Sequence, residues 1–173
     1  MASLGILEHD MGNAQSSLDY LLKALKAWES LFGTDNPHPS IALVKCNIGR
    51  SYFLIENVDA VEEYTRAAID DQQKIYGRQS PHPDFCKSYL QMAKVLRAEH
   101  RLSDAIDQAK LACEAFQQAF PKTSHGSGHA DIAEAFETLG TYMLQYHQSA
   151  QAIDKLQRRS WSDSGGRPPE NSC

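Results

Sequence analysis

His38 and His82 each sit between two prolines, in "NPHPS" and "SPHPD", and a histidine so placed invites a metal or acid–base reading. His38 has no second strong ligand at helical spacing, and His82 has only Cys86, four residues on. At a helix start such a Cys/His pair could lower a thiol pKa through the helix dipole and the imidazole. No third member and no oxyanion donor accompany it, so it does not compose a nucleophilic site. His125, His129 and Asp131 cluster in "SHGSGHAD". Zinc there would need further ligands in fixed geometry, so the segment reads as a mobile loop. Glu62-Glu63 and Asp70-Asp71 read as solvated helix faces. HExxH, GxSxG, GxGxxG and phosphate-loop patterns are absent from the sequence. The expectation is a non-enzyme with no catalytic residue, no cofactor and no metal.

Bulk composition narrows the class further. The 173 residues carry a net charge of −5 without a basic run, which argues against nucleic acid and anionic membrane as partners. No apolar stretch approaches bilayer-spanning length, and "MASLGILEHDMG" lacks the basic flank and long apolar run of a secretory signal. Cys46, Cys86, Cys113 and Cys173 are scattered with no CxxC, and Cys46 and Cys113 fall inside apolar-periodic segments. A reduced, cytoplasmic protein is expected.

What positions the two histidines is a repeat. "LFGTDNPHPSIA" and "IYGRQSPHPDFC" place Gly33 and Gly77, and His38 and His82, 44 residues apart. The same offset carries Leu4-Gly5 to Ile48-Gly49 and on to Met92-Ala93, and an offset of 47 carries that pair to Leu139-Gly140. Four copies fit, over about 1–36, 37–80, 81–127 and 128–159, the first lacking its beginning. Apolar spacing predicts two helices per copy: Ala2–Met11 with Asn13–Phe32, Ser40–Leu54 with Val58–Tyr76, Asp84–Glu99 with Ser103–Phe120, and Ala130–Tyr146 with Ser149–Arg159. Short breaks force antiparallel hairpins, and Ser103 is a candidate N-cap. Gly5, Gly49, Ala93 and Gly140 mark a close helix contact, matched twelve residues on by Ser17, Val61, Ala105 and Ala152.

The histidines then become punctuation. Gly33 and Gly77 end one helix in a left-handed conformation, Pro39 and Pro83 open the next, and His38 and His82 fall near its N-cap. The third junction, "AFPKTSHGSGHAD", puts Pro121 where the Gly belongs and adds three residues, so the array should be most irregular there.

The pattern of Lys45-x-x-Ile48-Gly49-x-x-Tyr52, Tyr89-x-x-Met92-Ala93-x-x-Leu96 and Phe136-x-x-Leu139-Gly140-x-x-Met143 resembles a tetratricopeptide repeat. The longer period and the FG/YG…HP junctions resemble the kinesin light chain and nephrocystin type, with Cys86 departing from the usual Ala. The resemblance covers about residues 1–159. It implies an all-α, right-handed superhelical array of antiparallel hairpins that binds a protein segment on its concave face. Carried over by position, the lining is Cys46, Arg50 and Phe53, then Lys87, Leu90, Lys94 and Arg97, then Glu137, Thr141 and Leu144, with Ile6 and His9 from the first copy. Such a groove is basic with apolar spots and more acidic at its far end. It suits an acidic segment with an apolar or aromatic anchor. The alternative role is an oligomerisation or regulatory segment of a larger signalling or motor-adaptor protein. The paired asparagines of kinesin light chains survive only as Asn47, so their cargo is not assigned.

Residues 160–173, "SWSDSGGRPPENSC", are expected to be a disordered tail. Neither end carries a clear polar cap, which would leave apolar surface uncovered; the expectation is first a fragment of a larger protein, and second ends buried by self-association.

Overall fold

The computed structural model describes residues 1–78, 82–119 and 130–163, with the backbone alone at 83, 130, 131 and 154–163. The described residues form helices and no strands: α1 (Ala2–Asp10), α2 (Ala14–Phe32), α3 (Pro39–Leu54), α4 (Val58–Tyr76), α5 (Pro83–Ala98), α6 (Leu102–Ala119) and α7 (Ala130–Asp163). Consecutive helices pack on each other, and α1, α3 and α5 also touch in turn. That second set of contacts stacks the first helix of each hairpin along one side. The expected helix bounds hold to within a residue or so up to α6. Ser103, expected to cap α6, instead lies inside its first turn.

Each hairpin turns through one residue of positive φ: Gly12 (81°), Glu56 (57°) and His100 (63°). Glycine adopts that conformation freely, whereas a side chain costs about 1 kcal/mol there. Asn57 compensates the second turn by accepting the Ala60 N–H at 3.2 Å.

Close packing explains the small residue of each repeat. A Cβ on Gly5 would sit 2.6 Å from Leu21 Cγ, and one on Gly49 would sit 2.8 Å from Thr65 Oγ1. Ala93, the equivalent in α5, is fully buried. Ser17, opposite Gly5, donates to the Gly5 carbonyl at 2.7 Å and shares a hydrogen bond with Ser51 at 2.8 Å. Ser51 in turn reaches His9 Nδ1 at 3.3 Å, so one buried hydroxyl chain ties α1, α2 and α3 together.

The Pro-His-Pro junctions resolve into one device used twice. His38 Nδ1 accepts the Ser40 N–H at 3.2 Å, and His82 Nδ1 accepts the Asp84 N–H at 3.3 Å, so each histidine is the N-cap of the next helix. Each ring also stacks on the last aromatic of the preceding helix. Phe32 and His38 have centroids 3.8 Å apart, and Tyr76 and His82 3.7 Å. Between them Gly33 (φ 90°, ψ 150°) and Gly77 (φ 88°, ψ 151°) have positive φ. Their ψ is extended rather than left-handed helical, which corrects the expected cap and sends the chain away from the helix axis. That backbone region is essentially restricted to glycine. The third junction lies outside the described residues.

The fourth copy is a larger departure. No hairpin forms at 147–148; α7 runs unbroken for 34 residues, about 50 Å at 1.5 Å per residue. Residues 160–163, expected in the tail, belong to it, and 164–173 lie outside the described residues. The reason is the sparse apolar content of Ser149–Arg159, where Ala150, Ala152, Ile153 and Leu156 alone could cover a partner helix. Folding back would break helical hydrogen bonds and force a positive-φ turn for little burial. Gly140 consequently has nothing within 4 Å of its would-be Cβ.

Two substitutions separate these environments. Gly49→Ala should destabilise the chain by about 1–3 kcal/mol through overpacking against Thr65 and the Val61 carbonyl. Gly140→Ala should stabilise the monomer by up to about 1 kcal/mol through helix propensity alone. Urea denaturation of dilute protein measures both, and equal signs would contradict the packing described. His38→Ala and His82→Ala should each cost about 1–2 kcal/mol from the lost cap and ring stack, and the double variant should be additive.

Candidate concave site

α3 and α5 project side chains into a cleft of about 290 Å³, closed at one end by α1 and at the other by α7. Its walls carry His9, Arg50, Lys87 and Lys94, and its apolar surface comes from Phe53, Leu54, Leu90 and Phe116. Gln91 and Glu134 complete it. Five of the ten positions expected on the concave face, Arg50, Phe53, Lys87, Leu90 and Lys94, line this cleft together.

The other five lie elsewhere. Cys46 is only 3% exposed and sits beneath the cleft rather than on it. Burial raises its thiol pKa, with Ser88 beside it acting in the opposite sense. Arg97 lies further along α5, where its Nε donates to Gln145 Oε1 of α7 at 2.8 Å. Glu137, Thr141 and Leu144 are exposed on α7, outside the cleft. The contribution of α7 comes instead from Glu134, one turn earlier, which pairs with Lys94. Phe116 of α6 was also missed, because it belongs to the second helix of its hairpin, which the positional rule leaves out.

Electrostatics follow from the partners. Arg50 donates to Asn47 Oδ1 at 3.0 Å, and its other terminal nitrogen lies 3.9 Å from the exposed Asp10 carboxylate. Asn47 is itself held by donating to the Leu43 carbonyl at 2.8 Å. Gln91 lines the cleft but is only 5% exposed, and its amide nitrogen is buried without a hydrogen-bond partner. A buried amide donor left unpaired costs on the order of 1–3 kcal/mol. Burial holds the His9 imidazole below its ordinary value; Arg50 lowers it further, Asp10 opposes, and Lys94 lowers it slightly.

The other sequence candidates are structural or lie outside this region. Cys86 is fully buried below His82, whose Nδ1 is occupied by capping α5. Asp71, expected on a solvated face, instead pairs with Lys45 at 2.7 Å, both mostly buried. Lys45 stands where the repeat pattern has an aromatic, and the ion pair fills the gap between α3 and α4 in its place. Glu62 pairs with Arg66 one turn on. His125 and His129 lie outside the described residues, as does the Asp131 side chain. Among the described residues, no three His, Cys, Asp or Glu side chains gather as metal ligands, and no helix is long and apolar enough to cross a membrane.

The lowered His9 pKa has a definite pH signature. The unfolded chain, with an ordinary imidazole near 6.5, binds a proton more tightly than the folded one. This contribution to stability is therefore present above pH 6.5 and lost as pH falls from there toward the depressed folded value. Stability of His9→Gln should fall less steeply than wild type over that window, measured by urea midpoints at a series of pH values. Parallel profiles would contradict the assignment.

Comparison with known proteins agrees with this architecture. The family model for the tetratricopeptide repeat matches residues 1–38, which span α1, α2 and the first junction through His38. No curated protein sequence matches the chain. Among solved structures, the fold is similar to that of BtubC (BKLC) from P. vanneervenii, a bacterial kinesin light chain-like protein, at 20% identity and a TM-score of 0.68. The match covers 99% of this chain and 66% of that one, so the chain spans just under two thirds of that protein's length. Residues 1–38 are thus similar to a tetratricopeptide repeat, and the chain has an all-α fold of the tetratricopeptide type.

Proposed function

We propose that the chain is a non-catalytic interaction scaffold whose α3–α5 cleft binds an extended partner segment bearing carboxylates beside an apolar or aromatic anchor. Tetratricopeptide repeats are in general protein-interaction scaffolds and not catalysts. The observation that carries the finer reading is a cleft walled by Arg50, Lys87 and Lys94 with apolar surface beside them. A carboxylate can meet two of these cations at once, and charge-assisted hydrogen bonds are stronger than neutral ones. Phe53, Leu54, Leu90 and Phe116 supply the surface for one apolar side chain next to it. Glu134 sets the register, since a ligand carboxylate must compete with it for Lys94.

The test is fluorescence anisotropy with short labelled acidic peptides that carry one aromatic or aliphatic anchor. Arg50→Glu with Lys94→Glu should weaken binding by at least about tenfold, with the helical circular dichroism unchanged. Affinity should also fall as salt rises. Unchanged affinity in the double variant removes the cleft as the binding site.

A further inference from the structure

We propose that His9 is a recognition residue of the α3–α5 cleft: a hydroxyl chain holds its Nδ1–H, and Nε2 takes up a proton when a partner's carboxylate enters. The inference rests on the cleft reading above and makes the proton a second ligand of that site.

The observation is a count of hydrogens. Ser17 and Ser51 are both fully buried, and their hydroxyls lie 2.8 Å apart. Each carries one hydrogen. Ser17 gives its own to the Gly5 carbonyl at 2.7 Å, so the contact between the two hydroxyls needs the hydrogen of Ser51. Were Ser17 to donate to Ser51 instead, Ser51 would donate to the Asn47 carbonyl at 3.0 Å. In both arrangements Ser51 has no hydrogen left for His9 Nδ1, 3.3 Å away. That contact is made only when Nδ1 carries the hydrogen and donates it. The neutral ring is therefore the Nδ1–H tautomer, with its lone pair on Nε2, because the bond made by one ring nitrogen fixes what the other presents.

Nε2 has no hydrogen-bond partner among the described residues, and the ring lines the cleft together with Arg50, Lys87 and Lys94. As a lone pair, Nε2 repels a carboxylate. Protonated, it becomes a further charged donor in the same cleft. The proton goes onto Nε2 and leaves the bond to Ser51 in place, so the chain that ties α1 to α2 and α3 is undisturbed.

The surrounding charges set the direction. Burial disfavours the charged ring, Arg50 of α3 does the same, Asp10 beside it on α1 opposes, and Lys94 of α5 adds slightly. α2 also packs on α1, and its part in the chain is the uncharged Ser17. A carboxylate bound between Arg50 and Lys94 offsets the repulsion that keeps His9 neutral, so the pKa of His9 rises in the complex. Binding then takes up protons. Affinity is constant above the His9 pKa of the complex, rises as pH falls from there to the lower pKa of the empty cleft, and levels off below it. Carboxylates of the partner titrate at about 4, below this window.

The test combines histidine nitrogen NMR with calorimetry on the full chain, using an unlabelled peptide of glutamates around one phenylalanine. In the free protein at alkaline pH, the His9 nitrogens (identified by their loss in His9→Asn) should report Nδ1–H and a bare Nε2. Peptide should raise the pH at which His9 titrates. Calorimetry in buffers of different ionisation heat should show net proton uptake. Affinity should rise about threefold or more between about pH 8 and about pH 5.5. His9→Asn keeps an N–H where Nδ1 stood and cannot titrate, so its peptide affinity should lose the pH dependence and keep the salt dependence. An Nε2–H tautomer in the free protein overturns the proposal. So does peptide binding that Arg50→Glu with Lys94→Glu weakens while the His9 titration stays in place. Binding that ignores the double variant overturns the cleft reading first, and this inference with it.

Discussion

The array depends on one close approach per repeat, where the first helix of a hairpin presents a small residue to the second. At Gly5 and Gly49 the space is too short for any Cβ, and Ala93 in α5 is wholly buried at the same place. Helices that meet so closely bring their flanking side chains into register, which buries Leu18 and Leu21 under α1 and α3, and Ala105 and Ile106 under α5. The hydroxyl chain from Gly5 through Ser17 and Ser51 to His9 exists only because those backbones come together. Where the approach is missing, at Gly140, the second helix runs on and the hairpin does not exist.

Hairpins must also be joined at a fixed angle, and the junctions supply it with three residues. An aromatic ends one helix, a glycine with positive φ redirects the chain, and a histidine caps the next helix while stacking on that aromatic. The ring that looked like a metal ligand spends one nitrogen on a backbone N–H and its face on Phe32 or Tyr76. Orientation set in this way points α3 and α5 into the same cleft. Cations one repeat apart, Arg50 on α3 and Lys94 on α5, thereby share one cleft with Phe53 and Leu90.

Much of this was legible in the residues because a repeat writes its geometry several times. The 44-residue offset located the hairpins, the small contact residues and the capping histidines, each a local rule with a local cause. It was less informative where a rule needs a partner. Lys45 reads as a lost aromatic, and only the position of Asp71 across the hairpin turns it into an ion pair. Cys46 follows the positional rule for a groove residue, yet it packs beneath the surface that the rule describes.

By itself the sequence determined the all-α class, the order of the helices and the places where the chain turns, because those rest on periodicity, glycine φ and proline's missing N–H. Tertiary structure decided which of the expected concave residues converge, and that the fourth repeat stays a single helix. Both depend on what lies across a gap. Gly140 has the same type and spacing as Gly49, and only the absence of an opposing helix distinguishes them. A residue's environment is a property of its neighbours in space, and a periodic sequence supplies the same symbol whether or not the neighbour arrives.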